Sequence, residues 1–342
     1  RAVLRARGEV IRARGNPDRA ARSASKELPE PTVATMSFDP IRRRSLAALA
    51  GVAGAAVLPT RAMAATDTGV HTRPIPSTGE RVPVIGLGTW ITFDVGDSTA
   101  SRSTLLPVMR DFLAAGGRVI DSSPMYGSSE SVIGDLADQL RRPPMFSATK
   151  IWTPGRWAGA QQVERSLGLW GVERFDLVQV HNMLDWRTHL PTLAALKREG
   201  RIRYLGITTS HGRRHDELER AMREVAFDFV QFTYSVADRD AEPRLLPLAR
   251  DRGAAVIANR PFDGGGLFDR VRGRPLPSWA VEIDCANWAQ LFLKFVVSHP
   301  AVACAIPATS QAAHLRENVG ALRGRLPDAA MRKRIAQAAG QG

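Results

Sequence analysis

Cysteine is nearly absent from this chain, since only Cys285 and Cys304 occur in 342 residues. Their scarcity excludes a framework of disulfides, and no Cys-x-x-Cys pair indicates a zinc site or a thiol redox motif. One bridge between the two thiols remains open, but two free thiols are the favoured interpretation because free cysteine is commonly buried. We predict no metal site.

Acidic residues are also in short supply, 34 Asp and Glu against 47 Lys and Arg, which gives a net charge of +13. A nucleic-acid-binding function requires such an excess to gather on one face or in one run. Residues 1–65 hold twelve basic and five acidic side chains, a net of +7, which leaves +6 spread along the rest of the chain. The charge therefore predicts no nucleic-acid partner.

No apolar run is long enough to span a bilayer of about 30 Å comfortably. The uncharged stretch from Ser45 to Thr60 is short and rich in Ala and Gly, it follows Arg42-Arg43-Arg44, and it precedes Ala62-Met63-Ala64. A basic region, a short apolar region and a small-residue cleavage site are typical of a secretory signal. Paired arginines at this place resemble a twin-arginine export signal.

Residues 36–64 are therefore predicted to be a twin-arginine-type signal peptide, with a mature start at Ala65. The protein is then periplasmic or secreted, and cytoplasmic if this segment is not recognised; an uncleaved membrane anchor is the alternative. The export machinery would be a partner through this segment. Residues 1–35 have no aromatic side chain and no hydrophobic period, so we predict that they are disordered. Met36 is predicted to be the better start.

From Val82 onward, short apolar or β-branched runs alternate with amphipathic stretches. The candidate strands are Val84–Thr89, Arg118–Ser122, Met145–Lys150, Asp176–His181, Tyr204–Thr208, Phe229–Phe232, Ala255–Asn259 and Val302–Ile306. Several are almost unbroken apolar runs, as parallel strands covered on both faces should be. The candidate helices between them include Leu105–Ala115, Ser129–Leu140, Thr188–Glu199 and Asp240–Arg252.

Eight such strand–helix units predict a (β/α)₈ TIM barrel, a single α/β domain over residues 82–342 that follows an extended segment at 65–81. The alternative is an open doubly wound sheet, which would place a Gly-x-Gly-x-x-Gly turn after its first strand. The first strand here continues through Gly86-Leu87-Gly88-Thr89 to Trp90 without a third glycine. The barrel is therefore favoured.

Four ionisable residues fall at the carboxyl ends of neighbouring strands, where a barrel of this kind carries its chemistry. They are Asp121, Tyr126, Lys150 and His181. A phenol has a pKa of about 10, and a nearby ammonium favours its ionised form. We expect Lys150 to lower the pKa of Tyr126, Asp121 to hold Lys150, and His181 to orient a substrate oxygen. This set can protonate an oxygen on which negative charge develops.

These residues and their surroundings resemble the aldo-keto reductase superfamily. The resemblance lies in Asp121-Ser-Ser-Pro-Met-Tyr126-Gly127-Ser-Ser-Glu130, in Thr149-Lys150, and in Leu177-Val178-Gln179-Val180-His181. It implies a reductase of aldehydes, ketones or sugars, or the reverse dehydrogenase, that uses NADPH or NADH and no metal, with Asp121, Tyr126, Lys150 and His181 as its catalytic tetrad.

The same resemblance implies a cofactor site across the barrel mouth. Its residues would be Gly88, Thr89, Thr208, Thr209, Gln231, Asn259, Arg260, Pro261, Phe262, Ile306, Pro307, Ala308, Thr309, His314, Glu317 and Asn318. Thr208 and Thr209 replace a Ser-Asn pair, and Gln231 matches the glutamine that binds the carboxamide. Two departures concern the cofactor: Asn259 stands where an aromatic residue stacks on the nicotinamide, and Ala308 and His314 stand where basic residues bind the 2′-phosphate. We expect weaker discrimination in favour of NADPH.

Aromatic and sulfur-containing side chains follow the strands at the predicted mouth. Trp90, Trp152, Met183 and Trp186 are candidates for an apolar substrate pocket, which would favour a hydrophobic or aromatic carbonyl compound, although packing explains them equally well. The alternative function is a nucleotide-binding or sensing protein on the same barrel with little turnover, because a fold does not fix a function. Substrate identity, direction and oligomeric state stay open.

Overall fold

The computed structural model describes residues 69–340. The strands are β1 Thr72–Pro74, β2 Arg81–Pro83, β3 Leu87–Gly88, β4 Val119–Asp121, β5 Phe146–Ile151, β6 Phe175–Val180, β7 Ile202–Thr208, β8 Phe229–Thr233, β9 Ala255–Asn259 and β10 Val302–Ala305. The helices are α1 Thr99–Ser103, α2 Leu106–Ala114, α3 Ser129–Gln139, α4 Arg156–Trp170, α5 Trp186–Arg198, α6 His215–Glu224, α7 Leu245–Asp251, α8 Gly266–Arg270, α9 Trp288–Val297, α10 Ala312–Val319 and α11 Ala329–Ala338. The predictions for residues 1–64 lie outside the described residues.

Strands β3 to β10 pair in chain order as one parallel eight-stranded sheet. The sheet closes on itself, because parallel bridges join Ile85 to Ala305 and Gly88 to Ala308. Each of these eight strands overlaps the strand predicted from its apolar run, and Ala255–Asn259 matches residue for residue. The predicted (β/α)₈ barrel is confirmed.

The barrel interior is filled by alternate side chains of its strands. Aromatic rings of Phe146, Tyr204 and Phe229 pack together there, with centroids 5.5–6.0 Å apart, and Ile75 and Val82 join the same buried cluster. Ile75 and Val82 belong to an antiparallel hairpin of β1 and β2, where the sequence predicted only an extended segment. The hairpin packs at the amino end of the strands, which leaves the carboxyl end open.

Several helices end where the sequence contains a stop. Helix α4 ends at Gly171, whose φ of 62° is left-handed, and α3 ends before Arg141-Arg142-Pro143-Pro144, since proline cannot continue a helix. The helix predicted over Asp240–Arg252 is shorter, because α7 begins only at Leu245. Residues before it form a turn in which Ser235 Oγ accepts hydrogen bonds from the Ala237 and Asp238 amides.

Both cysteines are free and buried, so the interpretation as two buried thiols is confirmed. Within residues 69–340, no helix is long and apolar enough to cross a membrane. The same residues contain no group of three or more His, Cys, Asp or Glu side chains suited to holding a metal ion.

Candidate active site

The four ionisable residues singled out in the sequence lie together at the carboxyl end of the barrel. Asp121 is the last residue of β4, Lys150 lies one residue before the end of β5, and His181 directly follows β6. Because these three strands are neighbours in the sheet, their ends meet beside the loop that carries Tyr126. Asp121, Tyr126 and His181 line one cavity.

Lys150 and Asp121 form a buried ion pair in which Nζ donates to Oδ1 at 2.5 Å. Nζ also donates to the Ser122 carbonyl at 2.8 Å, and Gln179 Nε2 donates to the second oxygen of Asp121 at 3.2 Å. Nζ then lies 5.1 Å from the ring centroid of Tyr126. The contacts fix the ammonium beside the phenol, since a buried charge needs such partners.

The pKa values of this pair follow from burial and charge. Burial alone would lower the pKa of Lys150, but the Asp121 carboxylate and the Tyr126 phenol raise it, and the net shift is upward. Burial raises the pKa of Tyr126 and outweighs the lowering by Lys150. Lys150 lowers the pKa of Tyr126 as the sequence predicted, but the net shift is upward because loss of hydration exceeds the attraction of one ammonium. Tyr126 keeps its proton at neutral pH.

His181 is a neutral ring beside that phenol. Burial, and then the charge of Lys150, lower its pKa to about 2. Its Nδ1 is 2.9 Å from the Ser123 hydroxyl, and its ring meets the Tyr126 ring edge-on with centroids 5.6 Å apart. A neutral imidazole held in this way can orient an oxygen through a hydrogen bond without adding charge.

A cavity of about 610 Å³ opens over these residues, a size typical of small-molecule sites. Twelve of the residues predicted to bind a cofactor line its wall: Gly88, Thr89, Thr208, Thr209, Gln231, Asn259, Arg260, Pro261, Phe262, Ile306, Pro307 and Ala308. They come from β3 and from β7 to β10. Tyr126 and these predicted cofactor residues therefore line the same cavity.

Among the predicted cofactor residues in this wall, two carry a buried side-chain atom that has no hydrogen-bond partner among the described residues. They are Nε2 of Gln231 and Oγ1 of Thr209. An unpaired buried polar atom is costly, so both atoms suit a ligand that offers a carbonyl and a donor, as a carboxamide does. Thr208 differs, because its hydroxyl already accepts a hydrogen bond from the Asn182 amide at 2.9 Å.

Both polar atoms of the Asn259 side chain form hydrogen bonds within the barrel. Its Oδ1 accepts from the Thr233 hydroxyl at 2.8 Å, and its Nδ2 donates to the Thr209 carbonyl at 2.8 Å. It therefore ties three strand ends together and offers no flat face for stacking. The aromatic surface nearby is instead the pair Phe262 and Phe268, whose centroids are 4.8 Å apart.

The residues after Ala308 lie beside the cavity rather than in its wall. Thr309 is buried and its hydroxyl accepts from the Gln311 amide at 3.0 Å. His314 and Glu317 are exposed on α10, whereas Asn318 is buried. The cavity lining does not include Thr309, His314, Glu317 or Asn318.

The four predicted substrate-pocket residues separate into two groups. Trp90 lines the cavity, and Trp152 lies exposed at the rim, outside the lining. Met183 and Trp186 are buried in the hydrophobic core, and Trp186 Nε1 donates to Glu217 at 3.3 Å. The structure corrects their predicted place, because both side chains pack in the core and neither lines the cavity.

Sequence reasoning missed three polar residues that support the cluster. Gln179 is two residues before His181, and the two-residue period of a strand could have placed both on the inner face. Ser123 follows Asp121 in the same motif and holds His181. Glu130 is 2% exposed, and its carboxyl accepts hydrogen bonds from Thr149 at 2.5 Å, Ser166 at 2.9 Å and Trp170 at 3.1 Å.

Glu130 lies four residues after Tyr126 and receives a hydrogen bond from the residue before Lys150. Burial raises the pKa of this carboxyl, while the Thr149 hydroxyl and the charge of Lys150 lower it less. Its three donors come from β5 and α4, so Glu130 fixes the helix that follows the Tyr126 loop against the strand that carries Lys150.

Comparison with known proteins shows which family the chain resembles. The model of the aldo/keto reductase family matches residues 84–337. The chain is 24% identical to the NADH-specific methylglyoxal reductase of Escherichia coli (strain K12) over 318 residues, which are 75% of this chain and 94% of that protein. An aldo-keto reductase of Strobilurus tenacellus is 28% identical over 264 residues, 64% of this chain and 77% of that protein.

Solved structures give the same family. An aldo/keto reductase from Klebsiella pneumoniae, in complex with NADP and acetate, superposes with a TM-score of 0.63 at 26% identity, covering 76% of this chain and 92% of that chain. The holo form of an aldo-keto reductase from Bacillus halodurans superposes with a TM-score of 0.65 at 22% identity, covering 80% of this chain and 97% of that chain. The second likeness concerns the fold alone.

Proposed function

The chain belongs to the aldo/keto reductase family, and from this premise we propose that it reduces an aldehyde or ketone with a nicotinamide cofactor, or oxidises the alcohol, with Tyr126 as the general acid or base. The observation that carries the proposal is the cluster of Asp121, Tyr126, Lys150 and His181 at one wall of the cavity. Binding alone does not require a buried ammonium beside a phenol, so the cluster favours catalysis over a sensing role.

The chain's own residues carry the proton. A bound nicotinamide supplies the hydride that reaches the carbonyl carbon, or accepts it in reverse. Tyr126, protonated at neutral pH because burial raises its pKa, donates its phenolic proton to the carbonyl oxygen as negative charge develops there. The Lys150 ammonium stabilises the phenolate that remains, and Asp121 keeps that ammonium in place. Neutral His181 orients the oxygen. The product is the alcohol.

The cavity wall offers a fit for the cofactor. Gln231 and Thr209 carry the unpaired buried atoms that a carboxamide would satisfy. Three arginines line the cavity on the side of β7 and β9: Arg213, Arg214 and Arg260. Their charge suits the diphosphate of a dinucleotide. We place the rest of the cofactor over Phe262 and the segment Ile306–Ala308, with Glu317 and Asn318 as flanking contacts.

The charged side chains near the cavity rim bear on the choice between NADH and NADPH. Arg316 is paired with Asp111 at 2.9 Å, and Ala308 brings no cation to the rim. We propose that the protein binds both cofactors with little preference for the phosphorylated one. The NADH-specific relative from Escherichia coli and the NADP complex from Klebsiella pneumoniae represent the two possibilities within the family.

The substitution Tyr126→Phe tests the mechanism, because it keeps the ring and removes only the donor. We expect turnover to fall roughly 10²- to 10⁴-fold, while NADH and NADPH still quench tryptophan fluorescence with unchanged affinity. Turnover is measured by the loss of near-ultraviolet absorbance of the reduced cofactor with a broad panel of aldehydes and ketones.

Tyr204→Phe is the matched control, since it removes the same hydroxyl at the opposite end of the barrel. Tyr204 donates to Glu80 at 2.6 Å there, so we expect lower stability with normal turnover. Near-normal rates in Tyr126→Phe would disprove the assignment of Tyr126. Nucleotide binding by the unsubstituted protein without turnover of any carbonyl would instead support the sensing alternative.

We further propose that residues 36–64 direct the protein through the twin-arginine export machinery to the periplasm or the outside of the cell. The support is the order of Arg42-Arg43-Arg44, the apolar stretch from Ser45 to Thr60, and Ala62-Met63-Ala64. That route carries folded proteins, which would allow the enzyme to leave the cytoplasm with its nucleotide bound.

A further inference from the structure

The segment that follows β3 contacts the start of α3, the helix that follows Tyr126. Phe93 anchors this segment, because its side chain is fully buried in the hydrophobic core and its amide donates to the Thr89 carbonyl at 3.1 Å. The next residue, Asp94, is exposed, yet one oxygen of its carboxylate is bound to the protein. The group that it binds belongs to the turn that carries the proposed proton donor.

Asp94 forms two hydrogen bonds with one residue of that turn. Its Oδ1 accepts from the Ser128 amide at 2.9 Å and from the Ser128 hydroxyl at 2.9 Å. The same hydroxyl accepts from the Gly96 amide at 2.8 Å, so Ser128 is joined to both ends of the segment 94–96. Hydrogen bonds to a carboxylate are stronger than those between neutral groups. We name the set of Asp94, Gly96 and Ser128 the turn clasp.

Gly127 makes room for the turn clasp. Its φ is 58°, in the left-handed region that glycine adopts without strain. A Cβ atom added to Gly127 would lie 2.3 Å from Oδ1 of Asp94. The carboxylate therefore lies directly against the backbone that follows Tyr126, and a side chain at position 127 would push it away from Ser128.

Ser128 directly precedes α3, where a serine hydroxyl commonly accepts a hydrogen bond from the first turn of its own helix. Here the hydroxyl makes no such cap and donates to Asp94 instead. The amide of Ser128, and next its hydroxyl, lower the pKa of Asp94, while burial raises that pKa less. The carboxylate is therefore ionised at neutral pH, where a negative charge at the amino end of a helix is favourable.

Arg102 ties the same segment to α3 at a second place. Its side chain is only 9% exposed, and its guanidinium donates to the Gly96 carbonyl at 2.8 Å and to Asp97 at 2.6 Å. It also donates to Ser131 at 3.0 Å and pairs with Asp135, both of which lie in α3. Because loss of a partner of a buried charge is strongly destabilising, these contacts fix the segment relative to α3.

The other hydrogen bonds of the Tyr126 backbone are local. Its amide donates to the Ser123 carbonyl at 2.9 Å, and its carbonyl accepts from the Ser129 amide at 3.1 Å and from the Ser129 hydroxyl at 2.7 Å. A longer contact of 3.3 Å joins that hydroxyl to the Thr89 carbonyl. The turn clasp differs, because it joins the turn through a carboxylate to a segment 34 residues earlier in the chain.

We infer that Asp94 is a positioning residue for the proton transfer, because through Ser128 it fixes the turn that presents Tyr126 to the cavity. This inference rests on the proposed function. A proton donor must lie within hydrogen-bond distance of the reacting oxygen, and a displacement of about 1 Å can lower the rate roughly 10²-fold. Asp94 does not line the cavity, and the charges that shift the pKa of Tyr126 are those of Lys150 and Asp121. Its effect is therefore on geometry.

Asp94→Ala in the full-length protein tests the inference. We expect kcat to fall about 10- to 100-fold, with KM and the affinity for NADPH within about threefold, because the turn loses its fixed position while the cavity keeps its wall. Asp94→Asn, whose amide oxygen can accept the same two hydrogen bonds, should keep kcat within about threefold. Ser128→Ala removes the hydroxyl contacts, keeps the amide contact and should give an intermediate kcat.

Two further measurements separate positioning from a general loss of stability. Hydrogen–deuterium exchange in the peptide that spans residues 123–131 should rise in Asp94→Ala. The solvent deuterium isotope effect on kcat should also increase in that variant, because proton transfer from a displaced phenol then limits the rate. Asp284→Ala is the matched control, since Asp284 is an exposed carboxylate that accepts the Arg325 amide at 2.9 Å and does not line the cavity. There we expect lower stability with normal kcat.

The possible failures are distinguishable. If the wild type turns over a carbonyl compound and Asp94→Ala keeps kcat within twofold, the positioning role is wrong and the proposed function stands. If Asp94→Asn loses as much kcat as Asp94→Ala, the two hydrogen bonds are not the cause and the inference fails. An equal loss of kcat in Asp284→Ala would attribute the effect to stability and contradict the inference as well. If the wild type turns over no carbonyl compound, both proposals fail.

Discussion

Ala308 marks the point on the cavity rim where a single side chain can change cofactor choice. It is exposed, lines the cavity and bridges to Gly88 across the barrel closure. An arginine at this position would project into solvent beside the predicted cofactor path without displacing core atoms. The neighbouring Arg316 is already paired with Asp111, so it contributes little free charge.

We predict that Ala308→Arg increases affinity for NADPH about tenfold and leaves affinity for NADH within twofold, because hydrogen bonds to charged groups contribute roughly 1.5–3 kcal/mol. Fluorescence titration with the two cofactors gives the ratio directly. Arg316→Gln is the control and should leave the ratio unchanged. An unaltered NADPH affinity in Ala308→Arg would place the 2′-phosphate elsewhere.

Helices α3 and α4 are in close contact, and this contact positions the helix that follows the Tyr126 loop. A Cβ atom added to Gly134 in α3 would lie 2.0 Å from the Leu169 carbonyl oxygen of α4. The Glu130 carboxyl lies in the same interface and accepts from Ser166 and Trp170 of α4. The helix after the Tyr126 loop is therefore positioned by a glycine and a buried carboxyl together.

We predict that Gly134→Ala lowers the free energy of unfolding by about 1–3 kcal/mol, as overpacking does. Gly168→Ala in α4 is the matched control, since nothing lies within 4 Å of its added Cβ. There we expect a gain of about 0.5–1 kcal/mol, because alanine is the better helix former. Urea unfolding of both variants measures the difference. Equal effects of the two substitutions would contradict the close contact.

The whole molecule joins a complete barrel to an amino-terminal segment with an export pattern. The hairpin of β1 and β2 is fixed to the barrel's amino end, where Glu80 pairs with Arg203 and accepts from Tyr204. The cavity, with the proposed catalytic residues beside it, lies at the opposite end. The residues that line the cavity lie between Gly88 and Ala308 in the chain, so removal of a signal peptide at residues 36–64 would take away none of them.

For the whole chain we predict cleavage after Ala64 on export. Amino-terminal sequencing of periplasmic protein should begin at Ala65, and replacing Arg42 and Arg43 by lysines should retain the protein in the cytoplasm with its activity intact. Export that is unaffected by the lysine substitutions would argue against the twin-arginine route. Periplasmic protein whose sequence begins before Met36 would contradict the whole assignment.

Local patterns determined the elements and the reactive groups. Apolar runs and stop signals predicted eight strands that the structure contains, because the inner strands of a parallel sheet are apolar on both faces and helices end at glycine or proline. Strand-end position and the resemblance carried by one motif predicted the grouping of Asp121, Tyr126, Lys150 and His181. All these features depend on residues close together in the sequence.

Burial and long-range contacts were decided only by the tertiary structure. Gln179 reaches Asp121 across 58 residues and Asn259 reaches Thr209 across 50, so neither role is visible in a local pattern. The upward shift in the pKa of Tyr126 arises from loss of hydration, which composition does not reveal. The same tryptophan type is buried at Trp186 and exposed at Trp157 because packing of the whole chain, rather than hydrophobicity, decides which side chains meet water.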